Sequence, residues 1–181
     1  MLSSADRKAM IERLRAAIRE VPDFPKPGVS FKDITPLLKA GPLFGEAIDL
    51  LVQDVRTLQP TAIVCVEARG FLIAAPMALR LGCGLIPVRK PKKLPWKTLS
   101  ITYDLEYGKD TLEMHVDGVA KAERVLIVDD VLATGGTAGA VKDLVIKAGG
   151  VPLASCFLIE LTYLDGRKHL DDLPVHALVT Y

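Results

Sequence analysis

The densest chemistry in the chain lies in Val125-Leu126-Ile127-Val128-Asp129-Asp130-Val131-Leu132-Ala133-Thr134-Gly135-Gly136-Thr137. An apolar strand delivers two adjacent acids to its carboxyl end, a run of small residues follows, and a helix is predicted to begin. Small side chains let backbone N–H groups approach an anion, and a helix N-terminus adds partial positive charge. Thr134 and Thr137 contribute hydroxyl donors. This cradle fits a phosphate monoester. Asp129 and Asp130 would repel a phosphate, but carboxylates accept hydrogen bonds from a vicinal pair of hydroxyls. Amides for a phosphate beside acids for a sugar describe a ribose 5-phosphate site. The plainer alternative is a glycine turn with a surface acidic pair. The array lacks the Gly-Lys-Ser/Thr of a Walker loop and the spaced glycines of a dinucleotide fingerprint.

Two further segments carry charge suited to anions. Glu67-Ala68-Arg69-Gly70-Phe71 follows a buried apolar run, and the Arg69 guanidinium offers paired donors to a phosphoryl group. Its plain alternative is a salt bridge to Glu67. Arg89-Lys90-Pro91-Lys92-Lys93-Leu94-Pro95 sets four cations in five positions. A solvated basic loop or a nucleic-acid patch is the alternative there.

These segments need a scaffold, and the hydropathy pattern predicts one. Met10, Ile11, Leu14, Ala17, Ile18 and Val21 recur at helical spacing over residues 4–20, with Ser3 and Asp6 as a start signal. Proline density over residues 21–36 predicts a loop. A second helix is expected over 43–58. Strand, loop and helix then alternate: strands at 61–66, 84–88, 125–128, 151–161 and 175–180, helices at 71–81 and 137–148. Gly149-Gly150 reads as a helix stop. Residues 99–105 and 111–116 predict a hairpin. Strands separated by helices imply parallel crossovers. The expected fold class is α/β: a mostly parallel twisted sheet flanked by helices, with a flexible β-hairpin loop. Residues 1–181 read as one domain, in which 1–36 form an N-terminal segment and 61–181 the sheet core.

Composition sets the outer bounds. The 181 residues are half apolar and a quarter charged, with a formal net charge of +1. That balance argues against nucleic-acid binding driven by bulk charge. No apolar run reaches membrane-span length, and the polar start lacks a secretory signal. Cys65, Cys83 and Cys156 have no metal or disulfide spacing, and Cys65 and Cys156 sit in apolar runs. They read as free thiols in a reducing cytoplasm. His115, His169 and His176 lack metal-ligand spacing.

The Asp129–Thr137 array resembles the phosphoribosyl pyrophosphate (PRPP) signature of type I phosphoribosyltransferases, and its Ala-Thr-Gly-Gly-Thr form resembles their adenine-specific branch. The resemblance runs from about Pro22 to about Leu161. It implies purine salvage chemistry: transfer of the 5-phosphoribosyl group of PRPP to N9 of adenine, giving AMP and pyrophosphate. It implies that Asp129 and Asp130 hold the ribose and that Ala133, Thr134, Gly135, Gly136 and Thr137 hold the 5′-phosphate. Arg69, Arg89, Lys90, Lys93 and Tyr107 would hold pyrophosphate, with a non-proline cis peptide at Glu67-Ala68. The segment Phe24 to Ile34 is similar to the adenine hood of the branch, where Ser30, Phe31 and Lys32, with Val131, would contact the base. Ordinary core packing is the alternative for Phe31.

Within the hairpin loop, Glu106 matches the acid that manages the purine N7 proton, so Glu106 and Arg69 are the catalytic candidates. A surface carboxylate is the alternative for Glu106. Lys92 and Trp96 stand where relatives usually carry glycine, and Lys32 where they carry arginine. Mg²⁺ would arrive chelated by PRPP, with no all-protein metal site, and a homodimer is implied. Competing functions are transfer to hypoxanthine, guanine, xanthine or orotate, a PRPP- or purine-sensing regulator, and a nucleotide-binding protein without chemistry.

Overall fold

A computed structural model describes residues 3–104 and 108–181. The chain divides into two compact units, Met1–Asp49 and Leu50–Tyr181.

In the first unit, α1 (Ser4–Ala16) starts as expected: the Ser3 hydroxyl accepts a hydrogen bond from the Asp6 N–H at 3.1 Å. It ends earlier than predicted, because residues 19–21 leave the helix as β1 (Arg19–Val21). The proline-rich stretch is also more regular than a loop. β1 pairs antiparallel with β2 (Phe31–Asp33), aligning Val21 with Phe31 and Glu20 with Lys32. The prolines fall outside both strands, in the connection and in the first turn of α2 (Thr35–Lys39), where a missing N–H costs nothing. A cis Phe24-Pro25 bond and Asp23, which accepts the Gly28 N–H at 2.7 Å, shape the connection. α3 (Gly41–Val55) crosses the boundary between the units and ends in a 3-10 turn, Arg56–Leu58.

The second unit is built on a five-stranded parallel sheet in the order β4-β3-β7-β8-β9. Its strands are β3 (Ala62–Val66), β4 (Gly84–Val88), β7 (Arg124–Leu132), β8 (Val151–Glu160) and β9 (Val175–Thr180). Every residue of β3 is buried, as expected of a central parallel strand covered on both faces. Helices α4 (Arg69–Leu81) and α5 (Gly136–Lys147) make the crossovers. Gly149 takes φ +91° and ends α5 at the predicted stop. Val64, Val66, Val88, Ile127, Val141 and Leu144 lie in one buried core, which Leu112 and Met114 also enter. Those two belong to the hairpin of β5 (Thr98–Asp104) and β6 (Lys109–His115).

Two boundaries differ from expectation in ways that matter for the site. β7 runs on to Leu132, so Asp129 and Asp130 lie within the strand; the Asp129↔Phe157 and Val131↔Ile159 pairings with β8 carry it past the acids. α4 begins at Arg69, so Arg69 and Gly70 form its first turn instead of a loop. Among the described residues, no helix is long and apolar enough to cross a membrane.

Candidate active site

The sheet reverses its winding at β3: the chain passes next to β4 on one side and later to β7 on the other. In open α/β sheets a crevice opens at such a point, beyond the carboxyl ends of the strands. Here it is a cleft of about 400 Å³ lined by Glu67, Arg69, Lys90, Tyr103, Asp110, Asp129, Asp130 and Thr137, among others.

One wall comes from the end of β3. The Glu67-Ala68 peptide is cis, as the resemblance implied, and the chain then enters α4. Gly70 lies against β7 so closely that an added Cβ would sit 2.8 Å from the Asp129 carboxylate. The opposite wall is the Asp129-Asp130 pair. Asp130 is only 5% exposed, and its carboxylate pairs with the Arg69 Nε. The Asp130 N–H donates to Asp129 Oδ1 at 2.8 Å. Desolvation first, and the neighbouring Asp130 charge second, hold the Asp129 carboxyl well above the usual carboxylate range.

Thr137, in the first turn of α5, lines the cleft, and the Ala133–Gly136 turn leads into that helix. Gly135 takes φ +87°, a conformation that favours glycine, and leads into the first turn of α5. The leading N–H groups of a helix have no intrahelical partner, so this terminus can receive an anion. A Cβ at Gly135 would run into the carbonyl oxygen of Gly166, which fixes glycine there for a second reason. Val131 follows the acids on β7, half-buried.

The basic segment is tied down by ion pairs. Arg89 forks onto Glu67, with Nε to Oε2 at 3.0 Å and Nη2 to Oε1 at 2.6 Å, and its Nη1 donates to the Lys93 carbonyl at 2.6 Å. That fork holds the Glu67 carboxyl below its ordinary range. In place of the bridge considered between Arg69 and Glu67, Arg89 takes Glu67, and Arg69 takes Asp130. Lys90 pairs with Asp110, while Lys93 is exposed. Lys92, at a position associated with glycine, takes φ +66°. Trp96 lies edge-on to His115 at 6.4 Å.

Sequence reasoning assigned nothing to Tyr103 or Asp110. The second hairpin strand was expected from residue 111, but β6 begins at Lys109 and sets Asp110 opposite Tyr103. The Tyr103 hydroxyl reaches Asp110 Oδ2 at 3.3 Å and Thr137 Oγ1 at 3.2 Å. Strand register would have paired the two residues had the second strand been started two residues earlier. Glu106 and Tyr107 lie outside the described residues.

The base-contact candidates Ser30, Phe31 and Lys32 are in the first unit. The Phe31 ring meets Phe24 edge-on at 5.2 Å. Lys32 is 8% exposed, with its Nζ 3.1 Å from Glu20 Oε1 and 3.2 Å from Ser30 Oγ.

Residues 34–175 match the phosphoribosyl transferase domain family. The adenine phosphoribosyltransferase of Fervidobacterium nodosum is 55% identical over 168 residues, 93% of this chain and 99% of that protein. The crystal structure of adenine phosphoribosyltransferase from Thermoanaerobacter pseudethanolicus superposes with a TM-score of 0.93 at 51% identity, covering 94% of this chain and 99% of that one. The Saccharomyces cerevisiae adenine phosphoribosyltransferase, complexed with D-2,5-dideoxy-2,5-imino-altritol 1,6-bisphosphate and adenine, gives a TM-score of 0.90 at 36% identity over 94% and 99% of the two chains. With a parallel sheet whose switch point gathers two acids, a glycine-turned helix entry and paired arginines, the chain belongs to the phosphoribosyl transferase family, among its adenine phosphoribosyltransferases.

Proposed function

We propose that the cleft transfers the 5-phosphoribosyl group of PRPP to N9 of adenine, releasing AMP and pyrophosphate. The observation that carries this reading is the cleft itself: an acidic pair, Asp130 buried and Asp129 half-buried, stands between a glycine-turned helix entry and a cluster of cations. Those three chemistries match the ribose, the 5′-phosphate and the pyrophosphate in order.

In this reading the Ala133–Thr137 turn anchors the 5′-phosphate, and that binding energy orients C1 of the ribose. Asp129 and Asp130 accept hydrogen bonds from the ribose hydroxyls and favour the positive charge that develops near C1. The N9–C1 bond forms as the bond from C1 to the pyrophosphate oxygen breaks, and pyrophosphate leaves with the bonding pair. Arg69, Arg89, Lys90 and Lys93, joined by Tyr107, receive that charge. Glu106 takes up the proton that adenine gives up at N7. Ser30, Phe31, Lys32 and Val131 contact the base, and residues 1–36 serve one catalytic domain as its base-binding segment.

Mg²⁺ enters with PRPP as part of the substrate and neutralises phosphate charge. The cleft carboxylates are hard oxygen donors suited to the waters of such an ion, and no three His, Cys, Asp or Glu side chains converge on a metal position among the described residues. The reading includes a cytoplasmic homodimer that engages neither nucleic acid nor membrane. Three unpaired thiols suit a reducing compartment. Leu72 and Leu79, one α4 face apart by two turns, and Leu85 are exposed apolar side chains suited to a subunit contact.

The test is turnover of PRPP and Mg²⁺ with adenine, hypoxanthine, guanine and orotate in turn, following nucleotide formation, with Glu106→Gln alongside. AMP from adenine alone, with a loss of about 10²-fold or more in the variant, is the expected result. PRPP binding without nucleotide from any base would replace the enzyme with a sensor.

A further inference from the structure

The segment after β8 had no assignment from the sequence, yet it lies against the phosphate turn. Its 3-10 turns, Thr162–Leu164 and Gly166–His169, follow directly on Glu160. Gly166 is buried, and an added Cβ there would strike the Ala133 carbonyl oxygen and approach the Leu132 side chain at 3.1 Å. From the other direction, a Cβ on Gly135 would strike Gly166, and one on Gly139 would lie 2.8 Å from the His169 carbonyl. Strap and phosphate turn therefore meet backbone to backbone at Ala133, Gly135 and Gly139.

This strap is fastened at both ends. Glu160, 4% exposed, takes a two-point fork from Arg167: Nε to Oε1 at 2.6 Å and Nη2 to Oε2 at 2.7 Å. Glu160 stands opposite Leu132 in the sheet, and the Leu161 N–H donates to the Leu132 carbonyl at 2.9 Å. The fork therefore ties the strap to the strand end that launches the phosphate turn. At the far end, Leu170 is fully buried in a small core with Leu132, Ala138 and Phe157. Its members come from the base of the turn, the first turn of α5, β8 and the strap itself. Lys142 of α5 then pairs with Asp171.

We infer that Glu160 and Arg167 are positioning residues for the ribose 5-phosphate site: by pinning the Gly166 backbone behind Ala133–Gly135, they set the direction of the N–H groups that receive the 5′-phosphate. Neither residue touches substrate. The inference rests on the PRPP reading of the cleft and adds a specific asymmetry to it. The strap backs only the phosphate turn, whereas the Arg89–Glu67 fork is carried by β3 and β4. Loss of the strap's hold must weaken one end of the substrate and spare the other.

The experiment is calorimetric titration of ribose 5-phosphate, and separately of inorganic pyrophosphate with Mg²⁺, into the wild-type chain, Glu160→Gln and Arg167→Lys. Glu160→Gln keeps the buried shape and removes the charge; Arg167→Lys keeps the charge and removes the planar fork. Thermal midpoints are recorded alongside, and Arg167→Lys carries the test if Glu160→Gln does not fold. Expected is a weakening of ribose 5-phosphate binding by about tenfold, with pyrophosphate binding held within about twofold, and a KM for PRPP that rises without a matching rise for adenine. Unchanged ribose 5-phosphate binding in a folded variant, or equal weakening of both ligands, overturns the inference. A wild-type chain that binds neither ligand refutes the PRPP reading instead.

Discussion

The two ends of the cleft are built on different principles. The β7–α5 end is nearly contiguous in sequence, and it is shaped by backbone: Gly135 in a left-handed conformation, the entry of α5, and Gly166 packed behind. The β3–β4 end is assembled from side chains far apart in the chain, three of whose cations are already paired with carboxylates. Arg89 is on Glu67, Lys90 on Asp110 and Arg69 on Asp130. In the proposed reading, a phosphate arriving at the first end meets donors held in place. On the same reading, a pyrophosphate arriving at the second draws Arg69, Arg89 and Lys90 from resident acids. One end is then preorganised for binding, and the other is suited to an anion that must also leave.

The strongest way to break this contrast is Gly135→Ala. A Cβ there meets the Gly166 carbonyl, and φ of +87° is costly for alanine. We expect a stability loss of about 3 kcal/mol and a fall in PRPP affinity of roughly 100-fold, read by thermal melting and titration. A tolerated alanine would mean the turn is not set by its backbone.

Asp130→Asn follows. It removes an acceptor proposed for the ribose and the charge partner of Arg69. We expect kcat/KM for PRPP to fall roughly 100-fold, corresponding to about 2–3 kcal/mol. Because Arg69 is 43% exposed, water screens its loss, and the stability cost should stay near ~1 kcal/mol.

Asp129→Asn should act in opposite directions on stability and activity. The folded state holds the Asp129 carboxyl above its unfolded value, so it binds the proton more tightly than the unfolded chain does. Wild-type stability therefore falls as pH rises through that window. The asparagine variant should melt higher than wild type at about pH 8, and the gain should vanish at about pH 4, near the unfolded pKa. Activity should drop. An equal midpoint shift at both pH values would mean the burial of Asp129 carries no charge penalty.

The smallest effect sharpens the other end. Lys92 has φ +66°, and glycine relieves about 1 kcal/mol of that conformation while adding unfolded-chain entropy. Lys92→Gly should raise the melting midpoint by no more than about 2 °C and leave ribose 5-phosphate binding unchanged.

The same contrast governs what the sequence made legible. Val125 to Thr137 is one uninterrupted string, so strand, acids, turn and helix could be read together. The parallel sheet was equally readable, because β3, β4 and β8 are apolar runs that each adjoin a helix. What failed depends on long-range pairing. The Arg89–Glu67 fork spans 22 positions and the Arg69–Asp130 pair 61, and nothing local in either segment specifies its partner. The extra length of β7 comes from β8 beside it, which makes strand of two acids that resemble a loop start. β1 and β2 were hidden because each is three residues long beside prolines. The strap carried only a Gly-Arg pair as its mark, and its meaning appears once Glu160 and Leu132 are neighbours.

The most direct test of the account is a crystal structure of the chain with AMP bound. The account places the phosphate within hydrogen-bond distance of the backbone N–H groups of Thr134 to Thr137, with the ribose hydroxyls on Asp129 and Asp130. A phosphate seated instead on Arg89 and Lys93, with the Gly135 turn empty, would contradict it.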